Sequence, residues 1–325
     1  MGIWKLRFSM IGTLALIIGL STFALFVVLN LLGVFSITTL LVLVMLFNIG
    51  QWLVAPYIID AIYRVREISR DENPKLYDMV ERLSQASGIK TPKVMIANIP
   101  IPNAFAYGSP LTGPRVAVTT GLLKTLEDEE IEAVIGHELG HLKHRDVQIM
   151  MFVSILPAIF YFIGYSLFWS SLWSRGREER GAETAALIGI ACIALYWILQ
   201  LFSLYLSRLR EYYADRHSAT IVDDGARKLE EGLAKIVHAS HRVKKAVPKV
   251  SNLNAFKALF ISDPDRAETD AITMSRIGAS SDRKLVQEIL RRRLTLTDRL
   301  MEIFSTHPNI VKRMRALEEL RSKAA

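Results

Sequence analysis

The sequence predicts a membrane α+β protein, with four transmembrane helices and a mostly helical water-facing body that holds a small β-sheet. Composition predicts the membrane part: 51% of the 325 residues are hydrophobic, 22% are charged, and the mean hydropathy is +0.26. Soluble chains normally set more charge against that much apolar surface. Four uncharged apolar stretches say where the spans lie, at Phe8 to Leu32, Ile37 to Ile59, Ile149 to Trp169 and Ala185 to Leu206. Each has at least about 20 residues, enough to cross about 30 Å of hydrocarbon. Core helices of soluble domains seldom run that far without one charge. The remainder mixes helical and strand-like runs, which predicts the α+β body.

The first span follows Lys5 and Arg7. Its apolar run is too long for a signal peptide and a second follows at once, so it reads as an uncleaved anchor. Pro56 and Pro157 fall in spans two and three, where proline is tolerated. Orientation follows lysine and arginine. The link between spans one and two carries no charge, and in the link between spans three and four Arg175, Arg177 and Arg180 balance Glu178, Glu179 and Glu183. Lys5, Arg7, Arg64, Arg66, Arg70, Lys143, Arg145, Arg208 and Arg210 flank the opposite side, which is therefore expected to be cytoplasmic. This divides the chain into a two-span hairpin (1–59), a first water-facing part (60–148), a second hairpin (149–206) and a second water-facing part (207–325). An even number of spans puts both water-facing parts on one side of the membrane.

In the first part, a helix is expected over Pro74 to Ser87 and strands over Lys93 to Ala97, Ala104 to Tyr107 and Arg115 to Thr119, separated by proline and glycine. A further helix opens with Glu127, Asp128, Glu129 and Glu130, an acidic first turn that suits a helix N-terminus. The second part reads as helical, broken at Pro248 and at Ser262-Asp263-Pro264. The formal charge of +8 points to a membrane surface rather than nucleic acid, since no aromatic interleaving or recognition motif accompanies it. A single cysteine excludes an internal disulfide framework and a multi-thiolate metal site, and Cys192, inside an apolar run, is read as packing.

The acidic-capped helix carries His137-Glu138-Leu139-Gly140-His141. Residues four apart are about 6 Å apart along a helix and about 40° around it, so both imidazoles leave one face and can share a zinc ion. Glu138 can then reach a metal-bound water. With 7 histidines in the chain, chance produces this pattern in about one such sequence in a hundred. A catalytic zinc needs a third protein ligand. Glu211 is the candidate, because spans three and four form a hairpin that returns the chain to the starting side. By itself Glu211 reads as a solvated helix charge. Asp215, one turn further on, could accept the N–H of a ligating histidine.

These motifs together resemble the HtpX family of membrane-embedded zinc metalloproteases, relatives of the CaaX prenyl proteases. The resemblance rests on Asn103-Ala104-Phe105-Ala106 with Gly108, His137 to His141, Asp146, Arg208 to Asp215 and His307-Pro308, and covers most of the chain. It implies a zincin-like (gluzincin) catalytic domain, one Zn²⁺ held by His137, His141 and Glu211, and Glu138 as general base. It also implies peptide hydrolysis in protein quality control and stress response, at the cell membrane with the catalytic domain cytoplasmic. By similarity, His307 is expected to donate to the oxyanion, its other reading being a residue at the start of a helix. Arg210 is expected to pair with Asp215 or Glu211, or else to be a surface arginine.

Asn103, Ala104, Phe105 and Ala106 suit a short edge strand that binds extended substrate backbone, with a plain core strand as the other reading. Asp146 is read as a cap or helix anchor, His144 and Arg145 as membrane-interface residues, and His217 as a solvated or helix-surface histidine. The expected partners are an unfolded or membrane-protein polypeptide and the lipid bilayer, with no nucleic acid. The native substrate, cleavage preference and oligomeric state stay open. A site-2-type intramembrane protease is disfavoured because charges flank the histidine pair. A CaaX-type processing protease and an inactive zinc-binding scaffold remain as alternatives.

Overall fold

An α-helix of 27 residues, α1 (Ile37–Tyr63), opens the computed structural model, which describes residues 36–173, 179–246 and 282–324. Two more long helices, α5 (Asp146–Trp173) and α6 (Glu179–Ile221), share its apolar character. Three segments among the described residues are long and apolar enough to cross a membrane: Val42–Tyr63, Asp146–Leu172 and Glu183–Ile221. Their side chains need a non-aqueous neighbour, since Leu46 and Phe47 on α1 and Leu187 on α6 are more than half exposed. Burying such side chains is worth about 1.5–3 kcal/mol each. The expected span at Phe8 to Leu32 lies outside the described residues, so the structure bears on three of the four spans.

The chain divides into two compact units, Met1–Gln51 with Met150–Ser203 and Trp52–Ile149 with Leu204–Ala325. In the second unit, β1 (Val65–Glu67), β2 (Lys93–Ala97), β3 (Ala104–Ser109) and β4 (Gly113–Thr119) form one mixed sheet in the order β1-β2-β4-β3. β2 and β4 run parallel in the centre, while β1 and β3 flank them antiparallel, so β3 is an edge strand. The alternation of a strand sorts the side chains by face. Val94, Ala104, Val116 and Val118 pack towards the helical core, whereas Met95, Ala97, Phe105, Tyr107 and Ala117 pack around Ile59 and Tyr63 of α1.

Local sequence sets the helix ends. In α2 (Pro74–Ser87) the Asn73 side chain accepts the Leu76 N–H at 3.1 Å, Pro74 takes the first turn, and Gly88 closes the helix with φ of 67°. That left-handed cap is the position glycine fills without a Cβ penalty. Leu76, Met79, Val80 and Leu83 then fall on one buried face, the spacing expected of a helix laid on a core. A short α3 (Thr120–Thr125) precedes α4 (Asp128–Lys143), where the Glu130 carboxylate reaches back to the Glu127 N–H at 2.9 Å. The second part of the unit is helical: α7 (Gly225–Ala246), α8 (Asp282–Arg291), α9 (Leu296–Ile303) and α10 (Ile310–Ala324). The breaks expected at Pro248 and Ser262-Asp263-Pro264 lie outside the described residues.

Glu230 on α7 is 1% exposed, and burial pushes its carboxyl up to about 7 against the weaker pull of Arg321. Its folded pKa exceeds its unfolded value, so its contribution to stability is full at low pH and is lost as pH rises through 7. At about 1.4 kcal/mol per unit, a rise of that size from 4.5 costs about 3 kcal/mol at alkaline pH. Glu230→Gln is therefore expected to raise the unfolding midpoint at pH 8 and leave it unchanged at pH 4. Equal midpoints at pH 8 would contradict this.

Candidate active site

The 16 residues of α4 include 10 buried ones, among them His137 and Glu138. Burying so polar a stretch requires partners, and α6 supplies several. The two helices approach closely at glycine: a Cβ on Gly140 would lie 3.0 Å from the Ala214 Cα, and one on Gly136 would lie 3.1 Å from the Ser218 Oγ. A larger residue between or beside the two histidines would press α6 back by a few tenths of an ångström, and the close approach brings Glu211 and Asp215 against them.

The Nε2 atoms of His137 and His141 lie 3.1 Å apart, and the rings meet edge to face. The Glu211 carboxylate faces both, 3.4 Å from His141 Nε2 and 3.7 Å from His137 Nε2. One donor atom from each of the three residues lies within 4.8 Å of the others. Zinc bound tetrahedrally at 2.0–2.1 Å sets its ligand atoms about 3.3 Å apart, so these separations fit one such ion. Two imidazoles and a carboxylate also suit zinc chemically. The outer nitrogens are held as well: His137 Nδ1 is 2.9 Å from Asp215 Oδ1, and His141 Nδ1 is 2.8 Å from Asp146 Oδ2. Such contacts fix the tautomer that turns Nε2 towards a metal.

Glu138 points to the sheet. Its Oε2 accepts the Ala106 N–H of β3 at 2.8 Å, so the carboxylate sits at the free edge of the sheet. Burial, reinforced by the charge of Glu211 and opposed by His141, pushes the Glu138 carboxyl up to about 7. That value suits a group exchanging protons at neutral pH. Burial also lowers His137, whereas His141 is raised because Glu211 outweighs its burial.

Sequence reasoning missed one member of this cluster. Arg313 of α10 is 1% exposed and grips Asp215 with two bonds of 2.6 and 2.9 Å while lying 3.1 Å from Glu211. Burial works against its charge, but the two carboxylates prevail and keep it protonated. The signal was present: Ile310, Val311, Met314 and Leu317 form a buried apolar stripe that Arg313 interrupts. His307 also reaches the site, with Nε2 3.7 Å from Glu211 Oε1 and Nδ1 2.9 Å from the Thr306 hydroxyl.

Two expectations need correction. Arg210 does not pair with Asp215 or Glu211; it pairs with Asp146 and donates to the His144 carbonyl at 3.0 Å, because Arg313 already occupies both carboxylates. Asp146 lies between Arg210 and His141. His217 is not solvated but 8% exposed, its Nε2 2.9 Å from the Ser87 hydroxyl. Ala104, Phe105 and Ala106 enter the edge strand, whereas Asn103 lies just before it. Asn103 is buried, with its N–H on the Thr119 hydroxyl, and Phe105 packs inward beside Tyr63.

A histidine pair and a glutamate from two helices, with a second glutamate of the histidine helix touching an open sheet edge, is the layout of a metallopeptidase. The chain belongs to peptidase family M48: the model described as Peptidase family M48 matches residues 70–321. A Protease HtpX homolog of Thermoplasma acidophilum is 36% identical over 98% of this chain and 94% of its own length. That of Aeropyrum pernix is 39% identical over 97% of this chain and 96% of its own. The crystal structure of S. mikatae Ste24p overlays with a TM-score of 0.57 at 16% identity, covering 97% of this chain and 66% of that one. This last likeness speaks for the fold.

Proposed function

We propose that the chain is an integral-membrane zinc-dependent endopeptidase that hydrolyses peptide bonds in misfolded or membrane proteins at the cytoplasmic face. The observation that carries this reading is the convergence of His137, His141 and Glu211 beside Glu138, which touches the open edge of the sheet. In this reading the chain alternates the two-span hairpins 1–59 and 149–206 with the catalytic parts 60–148 and 207–325. Zinc would be held by His137, His141 and Glu211, and when bound it supplies Lewis acidity, polarising a carbonyl and acidifying water.

The protein's own groups do the rest. An extended substrate pairs with β3 through its backbone, which favours unfolded segments over particular sequences. Glu138 takes the proton of the attacking water and returns it to the leaving amine. His307 donates to the carbonyl oxygen as negative charge develops there. Asp215 and Asp146 hold the two imidazoles, and Arg313 and Arg210 hold those carboxylates in turn. The quality-control and stress-response role follows the motif resemblance and the preference of an edge strand for unstructured chain.

His137→Ala and Glu211→Ala are each expected to lower bound zinc and hydrolysis together, measured as metal per chain and as cleavage of an unfolded model protein in detergent. Full activity in Glu211→Ala would remove it from the ligand set. If the wild type binds zinc but cleaves no unfolded protein, a narrow processing enzyme of the CaaX type, or an inactive scaffold, takes the place of this reading.

A further inference from the structure

The edge strand runs from Glu138 towards a cavity. Its volume is about 430 Å³, and its walls include Tyr107, Gly108 and Ser109 of β3, Pro110 of the following turn, Gly113 and Pro114 at the start of β4, and Leu142. Two cations complete it: Lys90, beyond α2, and Arg145, at the junction of α4 and α5. No aspartate or glutamate lines it. Both cations are exposed, and neither has a carboxylate partner among the described residues. Lys93 and Lys75, outside the cavity lining, are instead paired, with Glu67 and Asp128.

Arg145 occupies its place at a cost. Its φ is 55°, in the left-handed region, where a residue with a Cβ gives up about 1–2 kcal/mol. Glycine or asparagine would relieve this, and the same left-handed conformation follows α1 at Arg64, with φ of 49°. Arg145 follows the end of α4 at Lys143 and lies two residues before Val147, which also lines the cavity. Strain of this kind gathers where a side chain must be aimed.

The cavity begins at Tyr107, the residue after Ala106, whose N–H meets Glu138. Strand residues advance about 3.3 Å each. A peptide laid along β3 with its cleaved bond at Glu138 therefore carries the residues two or three positions away past Lys90 and Arg145. We propose that this cavity is a substrate subsite for a carboxylate, selecting an acidic side chain or a free chain terminus near the cleaved bond. The inference rests on the peptidase reading and adds a sequence preference to an edge that otherwise reads only backbone.

The test uses the detergent-purified full chain and quenched peptides that differ only in Glu, Gln or Lys two and three residues from the cleaved bond, each made with an amidated and a free C-terminus. Two partly exposed charge pairs favour Glu over Gln by about fivefold in kcat/KM, with Lys below Gln. The double variant Lys90→Glu, Arg145→Glu should reverse this order, with zinc content as the check on folding. Should it lose zinc, Lys90→Ala and Arg145→Gln each should bring the Glu-to-Gln ratio towards one.

A preference shown only by free C-termini identifies the chain terminus as the ligand, and a preference shown by amidated peptides identifies the side chain. Glu, Gln and Lys cleaved within twofold by the wild type, or a Glu preference that survives in the variants, overturns the proposal. So does activity in reconstituted vesicles that rises with phosphatidylglycerol through these two residues while the peptide ratios stay fixed, which would place a lipid headgroup here. A wild type that cleaves neither the peptides nor an unfolded protein sinks the peptidase reading itself.

Discussion

Glu138→Gln is expected to lower the cleavage rate about 10²–10⁴-fold, the contribution of a positioned general base, while metal content stays at the wild-type level. Glutamine keeps the shape of the side chain and an oxygen to accept the Ala106 N–H, but it has no site that takes up a proton. Glu138 belongs to no pair of contacts that orients the histidines, because those run to Asp215 and Asp146. Metal per chain and single-turnover cleavage of an unfolded protein, measured on one preparation, separate its role from that of the ligands. Zinc lost in this variant, or a fall of less than about tenfold, would remove Glu138 from the chemistry.

The second large effect lies outside the histidine motif. Arg313→Met is expected to cost about 3–5 kcal/mol, the usual loss when one partner of a buried ion pair is removed. Asp215 and Glu211 stay buried, at 2% and 6% exposure, with less positive charge between them. A divalent cation among the same carboxylates restores part of the balance, so the loss in unfolding temperature should be larger with chelator than with zinc. Arg313→Lys should fall between, since an ammonium cannot reproduce the two-pronged contact with Asp215. A loss below about 1 kcal/mol in chelator would show that other groups carry this charge.

Local signals proved the most legible. Helix α2 falls at Pro74–Ser87 as expected because its cap, its proline and its glycine are all sequence-local. Strand β2 was readable for the same reason, as a short apolar run bounded by turn residues. Strand β1 has three residues, too few to show a period. The parallel pairing of β2 with β4, which leaves β3 at the edge, depends on contacts that no neighbouring residues encode. Helix α1 was expected to end at Ile59 but runs to Tyr63, because the charge of Asp60 is met by the Tyr107 hydroxyl and by Arg115. Apolarity fades near Leu206, yet α6 continues to Ile221. Hydropathy marks where a solvent boundary is expected, and a helix need not stop there.

In the site, the residues of the histidine motif could be read because their chemistry depends on spacing along one helix. Glu211 and Asp215 needed the hairpin argument. Arg313 needed the fold, because a buried arginine is recognisable only beside the carboxylates that hold it.

The 43 residues of α6 form one unbroken helix, with the apolar run at its start and Glu211 and Asp215 near its end. Along a helix, the bearing of each carboxylate is set by counting residues. One inserted residue between Leu206 and Glu211 would swing both carboxylates by about 100° and carry them off the face that meets α4. Four would return them to within about 40° of the same bearing, displaced by about 6 Å. Length in this connection is therefore quantised: a whole turn changes reach and keeps aim, while any smaller change unmakes the cluster.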